Sequence, residues 1–380
     1  MKEYIALDAH KHYSLAEREP VSGGPPKQTR LPHTRGAIRA FLADAEPGTP
    51  VAVEAMGNWY RIMEEIEEAH CTPLLVHPRK AKLMMGCINK TDKLDVHGLN
   101  RLQRNGTLPC VWIPPGHLRD LRELTRTRMT FSRLRATLKN KIQSSLAKYF
   151  LNVADFSDVF GKGARTTLET QIAALPPMTR FTARQMLAEL DGISARIAES
   201  ETMIRQMLRD RACVFPSIGN EREGAFQFLE TRDGQKLAGD MQLLSSAPGI
   251  AQILSCVLML EYGTVDRFPD DEHLASYSGG TPRVASSGGK TRYGRLRPDV
   301  NRYVKWALIE AANSIVLNHR RKPQLHVSQL YLRLKKNKGH AKAVGALVRH
   351  LAESIWHMLK KQEPYRERNL KQPTACSTGT

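Results

Sequence analysis

Two apolar runs that belong in a protein interior each close on a carboxylate: "YIALD" ends on Asp8 and "VAVE" ends on Glu54. This feature narrows the possible folds more than any other. Both runs have the length and apolar content of buried strands. A carboxylate there is costly unless a cation or a set of hydrogen-bond donors meets it. A chain that keeps two of them must fold so that compensating groups reach both.

The flanking pattern specifies the sheet. "YIALDA", "SLAERE" and "KQTRLP" read as successive strands, followed by helix "TRGAIRAFLADAE", strand "PVAVEA", helix "NWYRIMEEIEEAH", strand "TPLLVHP" and helix "TDKLDVHGLNRLQRN". Three strands, then helix, strand, helix, strand, helix is the order of an RNase H-like (RuvC-like) α/β layer fold over residues 1–115. In that fold the first and fourth strands are neighbours, which sets Asp8 beside Glu54. The last helix carries Asp92 and Asp95 on one face, with Cβ atoms roughly 5 to 6 Å apart. Thr91 as N-cap, with the positive end of the helix dipole, accounts for that pair without any ligand. Joined to Asp8 and Glu54, the pair completes four carboxylates of the kind that hold hard divalent cations, Mg2+ foremost.

Beyond residue 115 the chain changes character. Residues 116–212 read as a helical coiled-coil domain. Nine Lys or Arg and two acids lie between Arg119 and Lys148, interleaved with Leu121, Leu124, Leu134, Leu138 and Ile142. Leu190, Ile193, Ile197, Ser200, Ile204 and Met207 follow a 3-4-3-4-3 spacing, the seam of a coiled coil, although an ordinary bundle core gives the same pattern. Residues 213–240 read as a connector, 241–365 as a mainly α-helical domain, and 366–380 as a disordered tail. Within the third unit, "SSAPGIAQ" is a turn between helices, and "SGGTPRVASSGGKTRYGRLR" is small and basic.

Composition selects among partners. Lys and Arg number 57 against 38 Asp and Glu, a formal charge of +19, which suits a phosphate backbone. The longest apolar run, "ILSCVLML" at 253–260, falls far short of the ~20 residues that span a bilayer. "MKEYIALDAHKHY" lacks the pattern of a signal peptide, so a cytoplasmic protein without membrane contact is expected. Cys71, Cys87, Cys110, Cys213, Cys256 and Cys376 have neither zinc-finger nor disulfide-framework spacing and read mostly as small buried apolar residues.

Taken together, "LDAHK", "VAVEA", "NKTDKLDVHGL" and, after a helical middle, "APGIAQ…RFPDDEHLASYSGGTPRVASSGGKTRYG" resemble the DEDD transposases of bacterial insertion sequences, over about residues 1–365. The resemblance implies a RuvC-like domain whose metal-binding tetrad is Asp8, Glu54, Asp92 and Asp95, and a C-terminal transposase domain that contributes Ser287 as nucleophile. It implies a recombinase guided by a structured bridge RNA, cleaving and rejoining donor and target DNA through a phosphoserine link that conserves bond energy. It also implies a homo-oligomer, dimer to tetramer, in which the acidic domain of one subunit completes the serine site of another. Arg283, Lys290, Arg292 and Arg295 flank Ser287 and would grip the backbone. From the residues alone, "ASSGGK" is turn chemistry, and Ser286 or Ser278 would serve as well as Ser287. The turn "PGIG" of the family reads "PGIA" here, and residues 213–240 form a longer stretch than usual. Two other readings fit the same residues. One is a RuvC-like metal-dependent junction nuclease in which Ser287 only shapes a loop; the other is a non-catalytic nucleic-acid-binding protein with structural acids.

Overall fold

The computed structural model describes residues 2–86, 91–151, 156, 158–209 and 232–367. They form two compact units, Met1–Arg119 and Asp120–Thr380. Helix α5 (Gly116–Ala147) carries the boundary between them.

The first unit is built on a five-stranded sheet of β1 (Glu3–Ala9), β2 (Tyr13–Pro20), β3 (Lys27–Pro32), β4 (Pro50–Glu54) and β5 (Thr72–Val76). Its strand order is β3-β2-β1-β4-β5. The β1/β2 and β2/β3 pairs are antiparallel, and β1/β4 and β4/β5 are parallel. Thus β4 lies against β1 with Leu7 opposite Val53, as the strand succession requires. This mixed α/β arrangement is consistent with a DEDD nuclease-like fold.

Strand alternation divides the sheet residues between two cores. Ile5, Leu7, Val51 and Val53 face α1 (Ala37–Phe41) and α2 (Trp59–Glu68), packing with Ile38, Ile62, Met63 and Ile66. Ala6, Ala52 and Val76 face the other way, toward α3 (Pro78–Met85) and α4 (Asp92–Arg104), where they meet Ala81, Val96, Leu99 and Leu102. Small side chains on this second face let the helices lie close. Gly98 of α4 does the same for α3, since a Cβ there would come within 2.7 Å of Met85 Sδ.

Two elements differ from the sequence reading. The helix expected over 34–46 is only Ala37–Phe41, because Gly36 precedes it at a φ of 85° and the "EPG" that follows cannot continue it. Helix α3 was not expected; it starts at Pro78, in the first helical position, behind an N-cap from His77.

In the second unit, Ile142 and Leu146 of α5 pack with Leu168 and Ile172 of α6 (Arg165–Ala173) and with Ala183, Leu187 and Leu190 of α7 (Pro177–Arg209). Arg128 pairs with Glu201 at 2.5 Å, so α5 and α7 run antiparallel. Leu190, Ile197 and Ile204 of the expected seam are already buried in the single chain. The Met207 side chain lies outside the described residues. Of the expected connector, residues 213–231 also lie outside them, whereas 232–240 begin α8 (Arg232–Leu244). The apolar run at 253–260 is the buried α9 (Gln252–Tyr262), and no helix among the described residues is long and apolar enough to cross a membrane. Gly249 sits in the turn before it at a φ of 76°, where a Cβ would fall 2.3 Å from the Ala311 carbonyl oxygen.

Helices α10 (Asp271–Tyr277), α11 (Arg302–Asn318), α12 (His326–Lys338) and α13 (His340–Lys361) complete this unit. Between α10 and α11 the chain forms a hairpin of β6 (Pro282–Ser287) and β7 (Lys290–Leu296), an element not read from the sequence. Among the cysteines, Cys71 and Cys256 are buried as expected, while Cys110 is exposed.

Candidate active site

All four predicted acids of the first unit line one cavity of about 150 Å³, together with His10, Met56, Lys82 and Met85. The positioning is local and legible. Asp8 continues the Ala6 face of β1, and Glu54 continues the Ala52 face of β4, so both turn toward α3 and α4. Thr91 caps α4, its hydroxyl accepting the Leu94 amide at 3.3 Å, and the first turn presents Asp92 and Asp95.

A buried network fixes where that first turn sits. Glu17 on β2 is fully buried, and its carboxylate receives Gln28 Nε2 at 2.7 Å and Asn100 Nδ2 at 3.0 Å, with His97 Nδ1 also at 3.0 Å. The same Gln28 amide reaches the Lys93 carbonyl at 3.3 Å, and Arg104 donates to Glu19 at 2.7 Å. Glu17, Glu19 and His97 lie close enough to hold a cation. Their hydrogen bonds to α4 give them an anchoring role instead.

The electrostatics of the cavity are strained. Burial, the largest influence, pushes the Asp8 carboxyl up to about 6; His10 pulls it down, and Glu54, Asp95 and Asp92 add to the rise. His10 Nε2 lies 3.1 Å from Asp92 Oδ2 and 3.4 Å from Asp8 Oδ2. It is shielded from solvent yet makes an aligned hydrogen bond to neither. Tyr13 donates to Asp92 Oδ2 at 3.2 Å. Like charges gathered around a buried carboxylate and a buried nitrogen without an aligned partner are what a divalent cation would relieve, so the donor set fits such an ion. Sequence reasoning missed His10 and Tyr13. The signal for His10 was its place two residues after Asp8, just past the end of the strand that carries it.

In the second unit, Ser287 is the last residue of β6 and pairs in register with Lys290 across a turn of Gly288 and Gly289, both left-handed at φ 57° and 77°. Ala285 pairs with Arg292, so alternation puts Ser287, Lys290 and Arg292 on one face of the ribbon. A Cβ on Gly294 would lie 3.6 Å from Arg283 Cβ, which places Arg283 on that face as well. Val284, Ser286, Thr291 and Tyr293 fall on the opposite face, and Arg295 lies at the register shift between the Val284–Tyr293 and Pro282–Leu296 pairs, where the alternation is interrupted. Ser287 and all four arginines and lysines singled out from the sequence are exposed. Ser278, by contrast, is buried and hydrogen-bonded to Tyr262 Oη at 2.8 Å and to the Leu274 carbonyl, which removes it as an alternative nucleophile.

A further basic surface escaped the sequence reading because it is spread over three elements. Residues 311–352 contain no acid, and Arg320, Arg321, Lys322, Arg333, Lys335, Lys336, Lys338 and Lys342 are all exposed there. None of these eight pairs with an acid among the described residues.

The comparisons with known proteins follow this division. Residues 6–151 match the family model DEDD_Tnp_IS110, described as transposase, and residues 241–327 match the transposase model of the IS116/IS110/IS902 family. A "Probable family 20 transposase" of Pseudomonas aeruginosa is 24% identical, over 87% of this chain and 90% of its own length. The "Transposase for insertion sequence element IS1111A" of Coxiella burnetii is 23% identical, over 83% of this chain and 79% of its own. An acidic α/β domain followed by a transposase domain defines the class, a DEDD-type transposase. Within that class the two matched segments carry the models of the IS110 and IS116/IS110/IS902 transposases of insertion sequences.

Proposed function

We propose that this transposase cuts and rejoins DNA in the cytoplasm through a phosphoserine at Ser287, with Mg2+ held by Asp8, Glu54, Asp92 and Asp95. The carrying observation is the convergence of those four carboxylates on one cavity, inside the segment that matches the DEDD transposases. In the reaction, a Ser287 Oγ–phosphorus bond forms as a phosphodiester P–O bond breaks. The proton lost from Oγ is balanced by one gained at the freed deoxyribose oxygen, and reversal reseals the strand without ATP. Bound at the tetrad, the ion supplies Lewis-acid stabilisation of charge on the phosphoryl oxygens. Arg283, Lys290 and Arg292, on the serine's face, hold the phosphate and favour the deprotonated hydroxyl.

Donor and target choice is delegated to a bridge RNA, and the excess positive charge serves both nucleic acids. Dimers to tetramers supply the several strand exchanges that recombination needs. One observation favours the second reading, a metal-dependent junction nuclease: the Ser287 hydroxyl has no hydrogen-bond partner among the described residues, so no base within them activates it.

The test is denaturing electrophoresis of reactions with wild type, Ser287→Ala and Asp92→Asn on labelled DNA. Ser287→Ala is expected to abolish the covalent protein–DNA species while RNA and DNA binding persist. Asp92→Asn is expected to lower strand cleavage by about 1000-fold or more, since the ion contributes several kcal/mol. Recombination by Ser287→Ala would move the assignment to the nuclease, and full activity in Asp92→Asn would leave only a nucleic-acid-binding protein.

A further inference from the structure

The tetrad offers oxygen alone, yet the cavity it lines also contains a nitrogen donor. We infer that His10 Nε2 is an additional ligand to the cation of this site, and that the site consequently takes Mn2+ in preference to Mg2+. This rests on the reading of the acidic cavity as a divalent-cation site.

Three observations carry it. His10 lies just past the end of β1, two residues after Asp8, and both line the cavity that Asp92 of α4 also lines. One ligand atom from each of Asp8, His10 and Asp92 lies within 4.8 Å of the others. The nitrogen's separations of 3.1 Å and 3.4 Å from the Asp92 and Asp8 oxygens match the edges of a coordination octahedron, because adjacent ligands at about 2.1 Å from an ion are about 3.0 Å apart.

Backbone and ring of His10 each have a further contact. Asn58 Nδ2 donates to the His10 carbonyl at 2.8 Å, and the Tyr13 ring lies against the imidazole with centroids 4.6 Å apart. Nε2 is buried and has no aligned hydrogen bond, although two carboxylate oxygens are within reach. A ring placed only to pair with those carboxylates would point an N–H along one of the two contacts. A ring whose lone pair is shared with them around an ion would not. Mg2+ binds oxygen and gives up water reluctantly, whereas Mn2+ accepts carboxylate and imidazole together.

The experiment is Mn2+ titration of the full chain followed by electron paramagnetic resonance, with pulsed measurement of nitrogen coupling and Mg2+ as competitor. Wild type should show 14N modulation that changes to the 15N pattern when histidine is 15N-labelled. His10→Gln should lose the modulation and about tenfold of the Mn2+-over-Mg2+ preference, with Mg2+ affinity little changed. His97→Gln, in the anchoring network, should keep both. The wild-type labelling needs no variant to fold. Mn2+ bound to wild type without nitrogen coupling, or coupling that survives in His10→Gln, overturns the inference and leaves the cation site standing. Failure of wild type to bind Mn2+ or Mg2+ at all overturns the cation reading, and this inference with it.

Discussion

Two buried carboxylates, one from each unit, are maintained in opposite ways. Glu261 on α9, fully buried, receives Arg126 Nε at 2.8 Å and Asn301 Nδ2 at 2.9 Å, with Arg122 at 3.7 Å. Burial raises its pKa, but the Arg126 hydrogen bond, the Arg122 and Arg126 charges and Asn301 outweigh that and leave it below the usual range. Burial raises the pKa of Asp8 on β1, His10 opposes the rise, and Glu54, Asp95 and Asp92 add to it, so it stands well above the usual range. A carboxylate whose charge is matched inside the chain is structural. One whose charge is left unmatched is arranged for something that arrives from outside.

This contrast makes the same kind of substitution act in opposite directions. The largest effect is expected at Glu261→Ala, which strands two arginine charges and should cost about 3 to 5 kcal/mol of stability in denaturant unfolding of the full chain. The Glu261 contribution is present at neutral pH and is lost as pH falls through its depressed folded-state pKa. A Glu261→Ala protein as stable as wild type would erase the distinction between the two sites.

Asp8→Asn should do the reverse when a chelator is present. The folded state binds its proton more tightly than the unfolded state, so wild-type stability falls as pH rises from the ordinary aspartate value to about 6. Removing the charge should therefore stabilise the chain at pH 8 by at most about 3 kcal/mol, and by almost nothing near pH 4. A loss of stability at pH 8 would mean that hidden donors satisfy Asp8.

The smallest effect concerns the acid-free surface of the second unit. Lys335→Gln with Lys336→Gln should weaken DNA binding and reduce the log-log salt slope by about 2, at roughly 0.9 per phosphate contact. An unchanged slope would assign nucleic-acid contact to other faces, the Ser287 hairpin among them.

The acidic cavity was legible in the sequence because a carboxylate closing an apolar strand is anomalous wherever it occurs, and two such strands in an α/β succession have few ways to pair. Strand periodicity carried Asp8 and Glu54, and the Thr91 cap located Asp92 and Asp95. Other features were not legible, for identifiable reasons. His10 follows the last residue of β1, where strand alternation is no longer read, although it lines the same cavity as Asp8. The β6/β7 hairpin has both faces exposed, so it lacks the alternation of apolar and polar residues that marks a half-buried strand. Its Gly288 and Gly289 announced a turn but not the strands on either side. Of the 3-4-3-4-3 positions on α7, Leu190, Ile197 and Ile204 are buried, but periodicity does not say whether the covering surface is another copy or, as for Leu190, residues of the same chain.

The central claim is that Asp8, Glu54, Asp92 and Asp95 form a cation site rather than an accident of helix capping and strand ends. Calorimetric titration of Mg2+ and Mn2+ into the full chain, compared with a folded Asp8→Asn/Asp92→Asn variant, tests it most directly. Saturable binding in wild type, lost in the variant, is the expected result. Superimposable isotherms for the two proteins would contradict it.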